Sequence, residues 1–245
     1  MARHFLDMPD AATIPTRAFQ LTQRYVGEIV DQQAMGAVTG AAGLGKTFSV
    51  ETATDQIHDV QVVWVQFPRT VREKDGVAGL LDEITGVANE GTLRQLGAQL
   101  GEVLRSERRL IVVDEAQRLN RDTIDRIRYF WDDPDSRFAV LFVGGDGCWD
   151  VLSREPMLRS RIFRHVEFKR LPEEVVLKQV PKYHAIYEQA SAKDILFIND
   201  RFAHGNFRRW AAFTLDAAKF CVELGRDTVD EEISRNVFAF HSGVS

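Results

Sequence analysis

The chain has 245 residues, of which 44% are hydrophobic and 27% charged, and its formal net charge is −5. That length suits one large α/β domain or a core with a small satellite, and the composition is that of a protein that folds in water. The charge excludes a polycation that coats nucleic acid indiscriminately, and no apolar run approaches the roughly 20 residues that cross a bilayer.

Residues 1–20, with Pro9 and Pro15, read as an extended arm that lacks the apolar core of a signal peptide and leads into a helix over 16–32. The short apolar stretch Ala37-Val38-Thr39 reads as the first core strand, and residues 47–57 as the helix it feeds. Residues 60–67 are dense in β-branched and aromatic side chains, end at Pro68, and predict the next strand. Helical spacing returns over 79–84 and again over 93–104, where Leu93, Leu96, Leu100 and Leu104 fall on one face. Residues 110–113 and 138–143 are continuous apolar runs, as expected of strands buried on both faces of a parallel sheet, and 121–131 between them reads as a helix stopped before Pro134. Strands alternating with helices in this way predict an α/β fold with a parallel sheet and ligands at the carboxyl ends of its strands. After Pro172 the pattern is helical throughout: 173–190 with a break at Pro181, then 192–203, 207–224 and 230–240. The expected division is an arm (1–20), an α/β nucleotide-binding core (21–171) and a small C-terminal helical lid (172–245).

Between the first strand and its helix stands Gly40-Ala41-Ala42-Gly43-Leu44-Gly45-Lys46-Thr47, followed by Phe48. Strand, glycine-rich loop, then helix is the context in which this spacing binds phosphate. The glycines let successive backbone N–H groups turn inward, and the helix N-terminus adds its positive dipole end. Lys46 is expected on the β/γ oxygens and the Thr47 hydroxyl on Mg²⁺, so the expected ligand is a nucleoside triphosphate. Further on, the apolar run 110–113 ends in Asp114-Glu115. Two carboxylates at a strand tip suit a metal and a water: Asp114 is assigned to Mg²⁺, Glu115 to the attacking water. Ala116-Gln117-Arg118-Leu119 extends the Asp-Glu pair into an Asp-Glu-Ala-Gln signature.

Taken together, the loop, the Asp-Glu tip and the segments that follow resemble the AAA+ ATPases. The resemblance implies a P-loop core with a parallel sheet flanked by helices, a small helical lid, ATP and Mg²⁺ as ligands, and ATP hydrolysis. It puts a nucleotide sensor after residues 138–143, where this chain carries Asp146 in place of the usual Thr, Asn or Ser. In Leu158-Arg159-Ser160-Arg161-Ile162 it implies an arginine finger, with Arg161 the better match and Arg159 the alternative. In Gly205-Asn206-Phe207-Arg208 it implies a second nucleotide-sensing arginine, Arg208, with Arg209 turned elsewhere on the helix.

Within that family the short chain and compact lid look most like the transposition ATPases of the MuB, TnsC, TniB and IstB type, whose core the secretion ATPase ExeA shares. This implies a homo-oligomer, a hexameric ring or a helical filament, that forms with ATP on duplex DNA, engages a transposase and disassembles on hydrolysis. DNA backbone contacts are then expected after the second strand, at Arg69, Thr70, Arg72 and Lys74, and further on at Thr92 and Arg94. Such basic and hydroxyl side chains suit sequence-independent phosphate contact. Two other readings stand beside this one: an ExeA-type or origin-recognition-like ATPase with another partner, and an oligomeric scaffold that hydrolyses little. Residues 154–170 are also strongly basic. Cys148 and Cys221 are expected to be reduced thiols in a cytoplasmic protein without membrane contact. The histidines, among them His58, His165, His184 and His204, lack metal-ligand spacing, and the tryptophans are expected to pack.

Overall fold

The computed structural model describes residues 8, 10–68 and 72–242. They form two compact units. One comprises Ala18–Ala42 and Ser49–Phe168; the other comprises Gly43–Phe48 and the chain from Lys169 on, together with the described residues up to Arg17.

The first unit is built on a five-stranded sheet of β1 (Met35–Gly40), β2 (Gln61–Gln66), β3 (Arg109–Asp114), β4 (Phe138–Gly144) and β5 (Ile162–Phe168). The strands are parallel throughout, in the order β2-β3-β4-β1-β5. Its three central strands are buried along nearly their whole length, while β2 and β5 at the edges alternate between buried and open positions. This is why β3 and β4 read as continuous apolar runs, while β1, with Gly36 and Thr39, shows only a short apolar stretch. β5 was not expected. Its Arg164, His165 and Glu167 fit an edge that meets solvent, so the segment reads in sequence as a basic patch and not as a strand.

Helices α1 (Arg17–Asp31), α2 (Lys46–Thr54), α3 (Glu73–Thr85), α4 (Leu93–Ser106) and α5 (Arg121–Trp131) alternate with the strands, and the short α6 (Cys148–Ser153) and α7 (Pro156–Arg159) precede β5. On α4 the predicted stripe is the buried face: Leu96, Leu100 and Leu104 join Leu81 of α3, Ile124 and Ile127 of α5, and Ile111, Val140 and Phe142 of the sheet in one core. Each such side chain contributes about 1.5–3 kcal/mol by leaving water. Gly36 on β1 is small for a reason, since a Cβ there would lie 2.1 Å from Ile29 Cδ1 of α1. The helix predicted to begin at 79 starts six residues earlier. Glu73 and Asp75 in its first turn favour that start by complementing the helix dipole, and Glu73 pairs with Arg126 of α5.

The second unit is helical: α8 (Glu173–Gln179), two 3₁₀ turns at Val180–Lys182 and Ala185–Tyr187, α9 (Ala192–Ile198) continued by a π turn over Asn199–Ala203, α10 (Phe207–Glu223) and α11 (Glu231–Ser242). The single helix expected over 173–190 therefore ends at 179. Pro181 cannot donate to the carbonyl four residues back and its ring crowds that carbonyl, so tight turns take over. Trp210, Phe213, Tyr187, Ile198 and Val237 make the core of this unit. The Tyr187 hydroxyl is 2.7 Å from Thr214 Oγ1, and burial raises its pKa well above the ordinary range. Met8 and Ile14 belong to the same core, and the Ala12 N–H donates to the Tyr183 carbonyl at 2.8 Å, so the described part of the arm is packed. No helix among the described residues is long and apolar enough to cross a membrane.

Candidate functional site

Because all five strands run the same way, their carboxyl ends share one edge of the sheet. Asp114 ends β3 there, in register with Gln66 at the end of β2. The Gln66 amide donates to Asp114 Oδ2 at 3.1 Å and the Glu115 N–H donates to Asp114 Oδ1 at 2.8 Å, so both carboxylate oxygens are oriented. Glu115 takes a left-handed backbone conformation, with φ 53° and ψ 38°. A non-glycine residue there is strained by the order of 1 kcal/mol, and such strain concentrates at functional turns. Its Oε2 accepts from Gln117 Nε2 at 2.5 Å and forms an ion pair with Arg118, whose Nη2 lies 3.5 Å away. Gln117 in turn accepts, through Oε1, the Gly145 N–H beyond the end of β4 at 2.8 Å. Burial, then Asp55, then Asp114 raise the Glu51 carboxyl of α2 above its usual range. The sequence marks neither Gln66 as a site residue nor Gln117 beyond its place in the Asp-Glu-Ala-Gln signature. Their one signal was an amide at a strand end or beside the acidic pair.

Asp146, the expected sensor, is an exposed turn residue between β4 and α6. Thr39 near the end of β1 is a buried polar side chain, 3% exposed, whose Oγ1 is 2.7 Å from His165 Nε2 of β5. The His165 ring stacks on Trp149 at 4.0 Å between centroids, and its pKa lies below the ordinary value because burial outweighs the opposing charge of Glu167.

The glycine-rich loop begins where β1 ends. Gly40 has φ 138°, and a Cβ there would lie 2.2 Å from the Phe168 carbonyl oxygen of β5. Ala41 and Ala42 follow. Gly43 and Gly45 have φ 77° and 88°, and Leu44 between them is not left-handed. Alternating handedness of this kind turns neighbouring N–H groups into one concavity, a nest for anionic oxygens, just before the N-terminus of α2. Lys46 is buried at the start of that helix, Thr47 is exposed and Phe48 half-buried. The loop is also tied to the start of α10: the Gly43 carbonyl accepts the Arg208 N–H at 3.0 Å, and a Cβ on Gly43 would lie 2.6 Å from Asn206 Oδ1 and 2.9 Å from Arg208 Cβ. Asn206 caps α10 by accepting the Arg209 N–H, and the Arg209 guanidinium donates to the Phe202 carbonyl. The nest before α2 fits a polyphosphate chain, and an oriented carboxylate such as that of Asp114 is a donor type Mg²⁺ takes.

Of the finger candidates, Arg161 donates to both carboxylate oxygens of Asp132, at 2.7 and 3.0 Å, and to the Met157 carbonyl, whereas Arg159 is exposed. Arg164 is likewise paired, to Glu28 at 2.6 Å, and lies over Phe163. Hydrogen bonds from Arg24 and then Arg164 hold Glu28 below the usual carboxylate range. The basic segment of the sequence is thus partly neutralised on folding. Of the expected DNA contacts, Arg69 and Thr70 lie outside the described residues. Arg72 and Lys74 are exposed at the start of α3, and Thr92 and Arg94 are exposed at the start of α4, with the whole of α3 between the two groups along the chain. Lys74 belongs to the first helical turn and not to a loop. The Thr92 hydroxyl is engaged in a capping box with Gln95, so it is not an idle donor.

The AAA domain profile matches residues 29–152, just over half of the chain. The chain belongs to the AAA domain family. No curated protein matches the sequence. Among solved structures, this AAA domain protein is similar to Cdc6p from Pyrobaculum aerophilum (TM-score 0.70, 18% identity, covering 95% of this chain and 69% of that one). It is also similar to the Aeropyrum pernix ORC2 protein in ADPNP-ADP complexes (0.65, 14%, 96% and 70%), and to the Aeropyrum pernix ORC1 protein in complex with DNA (0.62, 15%, 94% and 66%). At such identities the likeness is one of fold. The parallel five-stranded sheet with its flanking helices is the AAA+ P-loop fold.

Proposed function

We propose that this AAA domain protein is an ATP-hydrolysing switch that assembles with copies of itself on duplex DNA. On the resemblance of its motif series to the transposition regulators, it presents that DNA to a transposase. The observation that carries the ATPase reading is the oriented acidic pair at the tip of β3, in a family member whose glycine loop has the conformation of a phosphate nest. Lys46 and the loop N–H groups bind the β- and γ-phosphates. Thr47 and Asp114 are the residues that would hold Mg²⁺, which neutralises phosphate charge when bound. Glu115 orients the attacking water, and Arg208, at the capped start of α10, senses the nucleotide. Arg72, Lys74 and Arg94, with Arg69 and Thr70, contact DNA phosphates without reading bases, which makes the assembly strongly salt-dependent.

Phosphate release tests the enzymatic part. Lys46→Ala is expected to lose nucleotide binding and turnover together, whereas Glu115→Gln keeps binding and loses turnover by at least about 100-fold. Parental turnover in Glu115→Gln would reject the water assignment.

A second reading, an origin-recognition-like ATPase, is favoured by the likeness to ORC and Cdc6 proteins, one of them solved with DNA. The two part on stoichiometry. A transposition-type assembly adds subunits in proportion to DNA length, and an origin-type complex holds a fixed number.

A further inference from the structure

Gln117 is chemically constrained in a way that gives it a task. The Gly145 N–H can only donate, so it must face the amide oxygen; an ionised Glu115 can only accept, so it must face the amide nitrogen. One orientation of the amide satisfies both, and reversing it would oppose like groups at 2.8 and 2.5 Å. The side chain therefore joins the turn after β3 to the first residue beyond β4. The surroundings leave little slack: a Cβ on Gly144 would lie 2.7 Å from Gln117 Oε1 and 2.4 Å from Cys148 Sγ. The Gln117 hydrogen bond and the Arg118 ion pair both fall on Oε2, and no donor among the described residues takes Oε1.

We infer that Gln117 is a positioning residue for hydrolysis: its amide couples the Glu115 carboxylate to the backbone N–H of Gly145, so the glutamate's aim at water follows the tip of β4. The inference rests on the reading of Glu115 as the water-orienting group. An unanchored glutamate samples its side-chain rotamers, and a displacement near 1 Å at a reacting group can cost about 100-fold in rate. Nucleotide affinity should not follow, because Gln117 gives nothing to the phosphate loop.

The test is single-turnover ATP hydrolysis with nucleotide dissociation constants measured in parallel, on the full chain. Gln117→Ala is expected to slow the chemical step by about 10- to 100-fold with affinity unchanged within twofold. Gln117→Glu, of nearly the same shape, should be slowed at least as much, since it sets a second carboxylate against Glu115; it serves equally if the alanine variant fails to fold. Adding Gln117→Ala to Glu115→Gln should cause no further loss, because Gln117 acts through that carboxylate. Parental rates in both single variants, parallel loss of affinity and rate, or a further loss in the double variant would each overturn the inference. If Glu115→Gln itself turned over normally, the failure would lie in the assignment of Glu115 instead.

Discussion

Arg161 and Arg159 lie two residues apart and meet different fates on folding. Arg161 grips Asp132 through two nitrogens and also donates to the Met157 carbonyl, while Arg159 stays exposed. To act on a neighbouring subunit's nucleotide, Arg161 would first have to leave a bidentate partner; Arg159 would not. The Asp132 pair is partly solvated, so it contributes about 1 kcal/mol or less to stability. On the reading proposed above, we propose Arg159 as the finger, although the Arg161 pair is weak enough to open and the two must be told apart by substitution. Arg159→Ala should lower assembly-stimulated turnover by about 1000-fold, whereas Arg161→Ala should keep turnover within a few-fold. Phosphate release by the two variants under assembling conditions decides it, and the opposite ranking returns the role to Arg161. The family resemblance prefers Arg161; the partner that counts against it, Asp132 at the end of α5, lies 29 residues away in sequence and shows only on folding.

At the scale of elements, legibility followed burial. β3 and β4 announced themselves as apolar runs, and α4 as a leucine stripe, because both faces or one full face are covered. β5 escaped because an edge strand carries charges, and α8 was drawn too long because the pattern beyond Pro181 persists in 3₁₀ turns. The capping box at the start of α4 was also missed, although Thr92 and Gln95 have its spacing. Thr92→Ala should cost about 1 kcal/mol in denaturant unfolding, and Thr92→Asn should recover most of it by restoring an acceptor for the Gln95 N–H. Neither variant should alter affinity for duplex DNA, since the hydroxyl is committed to the cap. An asparagine variant as unstable as the alanine one would refute the cap. A stable asparagine variant that binds DNA more weakly would restore Thr92 to the DNA surface.

For the whole molecule, the parallel sheet follows from the alternation of strands and helices, and the phosphate loop from its glycines. The side-chain ties among Gln66, Asp114, Glu115, Gln117 and Gly145 could not be read beforehand, because they depend on strand register and on the conformation of one turn. Those ties hold the Glu115 carboxylate, which on the proposed reading orients water, and the proposed output of hydrolysis is release from DNA. Sedimentation of the full chain with a slowly hydrolysed ATP analogue, with and without long duplex DNA at low salt, tests most directly the nucleotide-dependent assembly that such release presupposes. The account predicts a fast-sedimenting species that needs both analogue and DNA, grows with DNA length and disperses as salt is raised. A chain that sediments as the same small species in every mixture would contradict it.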